Sequence, residues 1–236
     1  MESLGHDPPK RLTRGKEMSN SQPIDLTHRL DPATPVYPNY PRVAVEVLES
    51  TRYNRSDGRR ALNSSRISVG MHCGTHMDAP FHFFEDGDTI DQIPLDRCTG
   101  RALLIDLRNA AARGLIEVEH LKAHEAKVRQ IGKIVLHTGW SEKWGQPEYF
   151  VNHPVFTPEA AQFVVDSAVR LVAVDFPSVD RPPYPAHIAF LGNGIIIVEN
   201  LTNLAAIKAE IFSLIVLPLK FTALDGSPVR AVAMEA

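Results

Sequence analysis

The chain has 236 residues, of which 44% are hydrophobic and 22% are charged, and its formal net charge is −3. These values are typical of a soluble globular protein with a substantial core, and the lack of a basic block argues against nucleic-acid binding. The longest apolar stretch, residues 211–219, is far shorter than the roughly 20 residues that a membrane-spanning helix needs. Two cysteines and no apolar signal segment favour a cytoplasmic protein.

Residues 1–22 are polar, lack periodicity and are predicted to form a disordered leader. The folded part is then predicted to be one domain, residues 23–236, since no internal repeat or linker interrupts it. Its first half favours strands at residues 24–28, 42–49 and 64–71, where apolar and polar residues alternate. Four prolines between residues 32 and 41 instead predict an extended, irregular loop.

The second half alternates apolar strand-length runs with helical patterns, which predicts an α/β fold. Helices are predicted at residues 117–130, 157–169 and 203–209. In the second of these, Thr157 is the expected N-cap and Pro158 the first helical residue. Strands are predicted at residues 102–107, 133–137, 171–175, 194–198, 211–217 and 229–233, with a turn at 225–226.

Four acid–base side chains fall within the eleven residues 72–82: His72, His76, Asp78 and His82. In a straight strand the first and last would be about 33 Å apart, at roughly 3.3 Å per residue. Ligands of one metal ion must each lie about 2.0–2.2 Å from it, so the segment must bend. Gly74 and Pro80 favour such a bend and disfavour a helical zinc site.

Two imidazoles and a carboxylate suit Zn, Mn or Fe, and three protein ligands leave a position open for water. A divalent ion can lower the pKa of that water to about 7, while a free imidazole nearby moves protons. This pattern predicts a metal-dependent hydrolase. The alternative is a set of histidines that serve only as hydrogen-bonding residues of the fold.

Residues 72–83, HCGTHMDAPFHF, resemble the HxGTHxDxPxHF signature of the cyclase family, which includes bacterial kynurenine formamidases and isatin hydrolases. Similar segments follow the family's order along almost all of residues 23–236. They are residues 24–28, 34–38, 136–140, 194–203 and 225–230. The resemblance implies a single-domain, swivelling β/β/α-like fold with a β-rich, barrel-like core and flanking helices. It also implies a homodimer or homotetramer.

The resemblance implies that His72, His76 and Asp78 hold a divalent metal, Zn or Mn, and that His82 is the catalytic acid–base residue. In the formamidases the bridging aspartate shares a second metal with a His and a Glu twelve residues apart. His187 and Glu199 have that spacing. The alternative for this pair is a buried hydrogen-bonded couple that orients water or substrate without metal.

The implied reaction is attack of metal-bound hydroxide on the C–N amide bond of a small aryl formamide or cyclic amide. Kynurenine formamidase is the leading activity, with isatin or another lactam or imide as the alternative. Tyr37 stands where the formamidases usually carry Trp, and Phe83 and Trp140 are the other candidate substrate contacts. A non-catalytic metal- or ligand-binding protein is the alternative from another class, and the spare base His82 argues against it.

Overall fold

The computed structural model describes residues 22–51, 62–109 and 114–235. All of the predicted leader except Gln22 lies outside these residues. Twelve strands are found in them: β1 (Ile24–Asp25), β2 (Ala44–Glu49), β3 (Ser64–Ser68), β4 (His76–Asp78), β5 (Thr99–Asp106), β6 (Leu115–Ile116), β7 (Lys133–His137), β8 (Val155–Phe156), β9 (Leu171–Val174), β10 (Ile196–Glu199), β11 (Ile211–Pro218) and β12 (Gly226–Met234).

The helices of the same ranges are short. They are α1 (Leu95–Cys98), α2 (Val118–Lys122), α3 (Glu125–Ile131), α4 (Pro158–Asp166) and α5 (Pro185–Gly192). Single 3₁₀ turns occupy Pro80–His82, Ile90–Gln92, Trp140–Lys143 and Leu204–Ala206. None of the helices in the described ranges is long and apolar enough to cross a membrane.

Seven strands close into a barrel in the order β4–β12–β11–β5–β7–β9–β10 and back to β4, and β1 extends the sheet beside β12. The neighbours β5, β7, β9 and β10 run parallel, whereas β4, β11 and β12 pair antiparallel with theirs. This arrangement confirms the predicted α/β class with a β-rich, barrel-like core.

Two apolar cores lie on the two faces of the parallel strands. Val135 and Ala173 belong to the cluster that fills the barrel, while Ile134 and Leu136 belong to the cluster beneath the helices. Because both faces are covered, these strands are continuous apolar runs rather than alternating ones. The predicted buried strand at residues 133–137 is accordingly buried at every position.

The helix predictions were met to different degrees. Helix α4 begins as predicted, with the Thr157 side chain accepting a hydrogen bond from the backbone N–H of Ala160, but it ends at Asp166. The predicted helix at residues 117–130 is two helices, and the second ends at Gly132 in the left-handed conformation. Helix α5 was not predicted, because its eight residues are largely apolar and show little amphipathic pattern.

Strands β2 and β3 form a separate two-stranded sheet. All six residues of β2 are exposed, and β3 ends at Ser68, three residues before the predicted end. The Pro-rich loop that precedes β2 returns to the barrel, where Tyr37, Pro38 and Tyr40 line a cavity.

Candidate active site

The segment with the four acid–base residues bends as its chemistry requires. Gly74 has a φ of +64°, and a Cβ there would come within 2.6 Å of Leu30 Cδ2, so this turn favours glycine. Strand β4 follows, and Pro80 then opens a 3₁₀ turn that ends at His82. As a result the rings of His72 and His82 lie 3.9 Å apart between centroids.

Three of these side chains form a compact group of donor atoms. The donor atoms of His72, His76 and Asp78 all lie within 4.8 Å of one another. Asp78 Oδ1 is 2.7 Å from His72 Nδ1 and 3.4 Å from His76 Nε2. Nδ1 of His76 donates to the carbonyl of Gly74 at 2.9 Å, which leaves its Nε2 free to face this group. Two imidazoles and a carboxylate at these distances fit a divalent cation.

The second oxygen of Asp78 provides an independent test of that fit. Oδ2 is buried and has no hydrogen-bond partner among the described residues, and Nε2 of His187 is 3.8 Å away from it. A buried carboxylate oxygen without a partner is costly, and a cation would satisfy it. The donor set and this oxygen therefore both fit a metal.

His187 and Glu199 lie on the other side of Asp78. Glu199 is the last residue of β10, paired in register with His76, and its Oε2 is 3.4 Å from His76 Nε2. Its Oε1 is 3.6 Å from His187 Nε2 and accepts the backbone N–H of Val179. A second compact donor group consists of Asp78, His82 and His187, without Glu199. His187 of the predicted pair thus lies close to Asp78, but His82 rather than Glu199 completes the compact group.

The carboxylates set the protonation of the two predicted histidine ligands. Burial lowers the pKa of His72, but Asp78 and Asp225 outweigh it and raise that pKa to about 9. Burial likewise opposes protonation of His76, and Asp78 and Glu199 raise its pKa to about 10. In turn the two histidines lower the pKa of Asp78 despite its burial. Without a metal, the site therefore holds protons in the place of a cation.

His82 differs from the other two histidines of its segment. Burial lowers its pKa to about 4, so the ring is neutral at pH 7. Its Nδ1 lies 3.6 Å from Asp225 Oδ2, which is also 2.6 Å from His72 Nε2. Sequence reasoning assigned Asp225 only to a turn. It reaches the site because β12 pairs with β4, and no local pattern indicates this.

A layer of polar residues behind the site holds the turn at Gly74. Asn200 donates from Nδ2 to the carbonyl of Gly74 at 2.9 Å, and its Oδ1 accepts the hydroxyl of Tyr149 at 2.7 Å. Thr75 donates from Oγ1 to the backbone carbonyl of Asn200 at 2.6 Å. These contacts fix the carbonyl that orients His76.

A cavity of about 560 Å³ opens onto the group. All six predicted acid–base residues line it, as do Tyr37 and Phe83. Aromatic side chains of Tyr40, Phe150 and Tyr184 complete much of its wall. Trp140, the third predicted substrate contact, does not line the cavity. Its indole packs against the core beneath the helices and donates a hydrogen bond to the carbonyl of Tyr149.

Comparisons with known proteins agree with this geometry. The model of the Cyclase family matches residues 24–181. A kynurenine formamidase of Geobacillus thermodenitrificans is 32% identical over 212 residues, covering 88% of this chain and 95% of the relative. Isatin hydrolase A from Labrenzia aggregata, solved with benzyl benzoate, is 28% identical with a TM-score of 0.79, over 91% of this chain and 94% of that one. A potential metal-dependent hydrolase with cyclase activity is 25% identical, with a TM-score of 0.75 over 92% and 98% of the two chains.

Fold and site together define a hydrolase with a candidate metal centre on strand β4 of a β-barrel. The chain belongs to the Cyclase family.

Proposed function

We propose that this hydrolase cleaves the C–N amide bond of a small aryl formamide or cyclic amide, with arylformamidase (kynurenine formamidase) as its leading activity. The observation that carries the proposal is the buried Oδ2 of Asp78, which has no hydrogen-bond partner in the described part of the chain and lies among histidines at an aromatic cavity. The names of the formamidase and isatin hydrolase relatives support amide chemistry at this site.

The proposed cofactor is a divalent metal, Zn or Mn, held by His72, His76 and Asp78. A second position is proposed at the other oxygen of Asp78, with His187 and Glu199. Two positions are supported because each carboxylate lies between two histidines. Asp78 has Oδ1 near His72 and Oδ2 near His187. Glu199 has Oε2 near His76 and Oε1 near His187. When bound, the metal supplies Lewis-acid polarisation of the amide carbonyl and of water.

His82 is the proposed acid–base residue. Because its ring is neutral at pH 7, it can accept a proton from the attacking water. Its Nδ1 is turned toward Asp225, so we assign the transfer to Nε2. The same nitrogen then gives the proton to the leaving amide nitrogen, which becomes an amine.

The cavity wall suits a planar aryl group. The Phe83 ring stacks on that of His187 at 4.9 Å and 20°, and Tyr37 lies against Phe150 with centroids 4.5 Å apart. These aromatic rings in the cavity wall favour an aromatic amide over an aliphatic one.

Cyclic amides such as isatin are the second candidate substrates. The observation that favours them is Tyr37, which lines the cavity at the position where formamidases usually carry Trp. The likeness to isatin hydrolase A, with a TM-score of 0.79, also supports this candidate.

The test compares kynurenine release from N-formylkynurenine with ring opening of isatin. Both are assayed with metal-depleted protein reloaded with Zn or Mn, and the His82→Ala variant is the blank. Turnover of N-formylkynurenine that vanishes in the blank is the expected result. Turnover of isatin alone would transfer the assignment to cyclic amides, and turnover of neither by metal-loaded protein would contradict the proposal.

We also propose that the enzyme works in the cytoplasm and, from the family resemblance, that it is a homodimer or homotetramer. Light scattering of the purified protein measures the assembly. A monomer at micromolar concentration would contradict it.

A further inference from the structure

Arg181 lies at the cavity, in the segment between β9 and α5. It is an exposed residue, and it lines the cavity together with the predicted acid–base side chains. Its Nη2 donates to the backbone carbonyl of His153 at 2.6 Å. Since His153 is only 1% exposed and also lines the cavity, this contact anchors the guanidinium there.

The charge of Arg181 is not neutralised by any ion pair within residues 22–51, 62–109 and 114–235. None of the carboxylates in the described ranges forms an ion pair with it. Its neighbour Asp180 instead accepts hydrogen bonds from the backbone N–H groups of Ala186 and His187, and lies 2.6 Å from His187 Nδ1. A guanidinium has five N–H donors, and the anchor uses one of them. The remaining donors and the full positive charge are available to a ligand in the cavity.

Tyr37 is a third side chain of the cavity wall, in addition to Arg181 and the predicted metal ligands. Burial raises the pKa of the Tyr37 hydroxyl; Glu199 raises it further, whereas Arg181 opposes the shift. Tyr37, Glu199 and Arg181 line the same cavity. A substrate that covers the Tyr37 ring can have its reacting amide near Glu199 and a second polar group near Arg181.

We propose that Arg181 determines specificity by binding a carboxylate of the substrate, so that the preferred substrate is an aryl amide that carries a negative charge. The proposal rests on the function proposed above and narrows its substrate class. The planar guanidinium matches a carboxylate with two parallel hydrogen bonds, which a neutral aryl amide cannot provide. The aromatic wall binds the ring in either case, so Arg181 is expected to affect anionic substrates selectively.

The test compares kcat/KM for formanilide, which is neutral, with kcat/KM for 2-, 3- and 4-formamidobenzoate. The proteins are the metal-loaded wild type and the variants Arg181→Gln, Arg181→Lys and Arg101→Gln. Arg101 is exposed on β5 and does not line the cavity, so Arg101→Gln is the matched control. Arg181→Gln should lower kcat/KM for the best formamidobenzoate about 10- to 100-fold, as expected for losing a hydrogen bond to a charged group. Arg181→Lys should lower the same kcat/KM by a smaller factor, because lysine keeps the positive charge but cannot form the two parallel hydrogen bonds of a guanidinium.

Formanilide separates recognition from a merely structural role of the anchor to His153. Its kcat/KM should stay within about twofold in Arg181→Gln, since the neutral substrate offers no charge to lose. An equal loss on both classes of substrate would overturn the proposal, as would unchanged activity on the formamidobenzoates. A wild-type enzyme that prefers formanilide to all three anions would also overturn it.

A binding experiment keeps the proposal testable if none of these amides is hydrolysed, which would count against the proposed function alone. The probe is 2-aminobenzoate, titrated calorimetrically into metal-loaded wild type and Arg181→Gln. The expected result is binding at least about tenfold weaker in the variant. Equal affinity for the two proteins would overturn the role of Arg181.

Discussion

Nδ1 of His187 lies 2.6 Å from Oδ1 of Asp180, and the other oxygen of this carboxylate accepts the backbone N–H groups of Ala186 and His187. One buried carboxylate thus fixes both the start of α5 and the ring at its third residue. Because Nδ1 is engaged, Nε2 is the nitrogen that points to Asp78 and Glu199. This is the usual way in which a second carboxylate orients a histidine ligand.

Asp180→Asn is predicted to weaken metal binding about 10- to 100-fold, the range typical for such supporting residues. The amide can still accept the backbone N–H groups, but its NH₂ group favours the wrong tautomer of His187. Chelator competition measures the affinity, and a thermal melt should change little. Asp166→Asn, at an exposed position on α4, is the control. Unaltered affinity in Asp180→Asn would argue that His187 is not a ligand.

His82→Ala is predicted to lower kcat about 10²- to 10⁴-fold, the usual contribution of a general acid–base residue. Bound metal, measured by elemental analysis, should stay at the wild-type level, because His72, His76 and Asp78 remain. His124→Ala, at a half-exposed position before α3, should leave both quantities unchanged. Loss of metal in His82→Ala would make His82 a ligand, in keeping with its compact group with Asp78 and His187.

Glu199→Gln is predicted to reduce the number of bound ions from two to one per chain. The amide can still accept the N–H of Val179, as Oε1 of Glu199 does at 3.0 Å, so the fold should be retained. Only the negative charge between His76 and His187 is lost. Elemental analysis after dialysis measures the ratio. Two ions in the variant would assign Glu199 to orienting water or substrate instead.

Metal binding is predicted to release protons and to strengthen with pH. In the metal-free site the pKa values of His72 and His76 are raised to about 9 and 10. At pH 7 both rings are therefore imidazolium ions, and each must lose one proton before it can bind a metal. Apparent affinity should therefore rise about tenfold per pH unit for each displaced proton, until the pH passes these pKa values. Calorimetry in buffers of different ionisation enthalpy counts the protons. A binding enthalpy independent of the buffer would refute the assigned protonation.

The same shifts make a prediction for the metal-free fold. A histidine whose pKa in the folded protein is raised above 6.5 increases the free energy of unfolding. This contribution is complete below pH 6.5 and is lost as the pH rises through the folded-state pKa values of about 9 and 10. Melting temperatures of the metal-free protein should therefore fall between pH 7 and pH 10. The Asp78→Asn variant lacks the main partner of both rings and should lose much of this dependence. An equally steep fall in Asp78→Asn would point to groups elsewhere.

The sequence predicted the parts of this molecule that depend on near neighbours. His72 to His82 are within eleven residues, so their chemistry and the need for a bend could be inferred locally. The continuous apolar runs at β7 and β9 likewise predicted buried strands, and every residue of both strands is buried. In contrast, Asp225 and Arg181 reach the site through strand order and loop path, and these are properties of the whole fold.

The direct test of the central claim is a titration of Zn²⁺ or Mn²⁺ into metal-depleted protein, with bound metal and hydrolysis of N-formylkynurenine and isatin measured in the same samples. Turnover of at least one amide should rise in proportion to bound metal and saturate with it. Asp78→Asn should abolish both the binding and the turnover. Turnover that is equal in metal-depleted and loaded protein, or that survives in Asp78→Asn, would contradict a metal-dependent hydrolase built on Asp78.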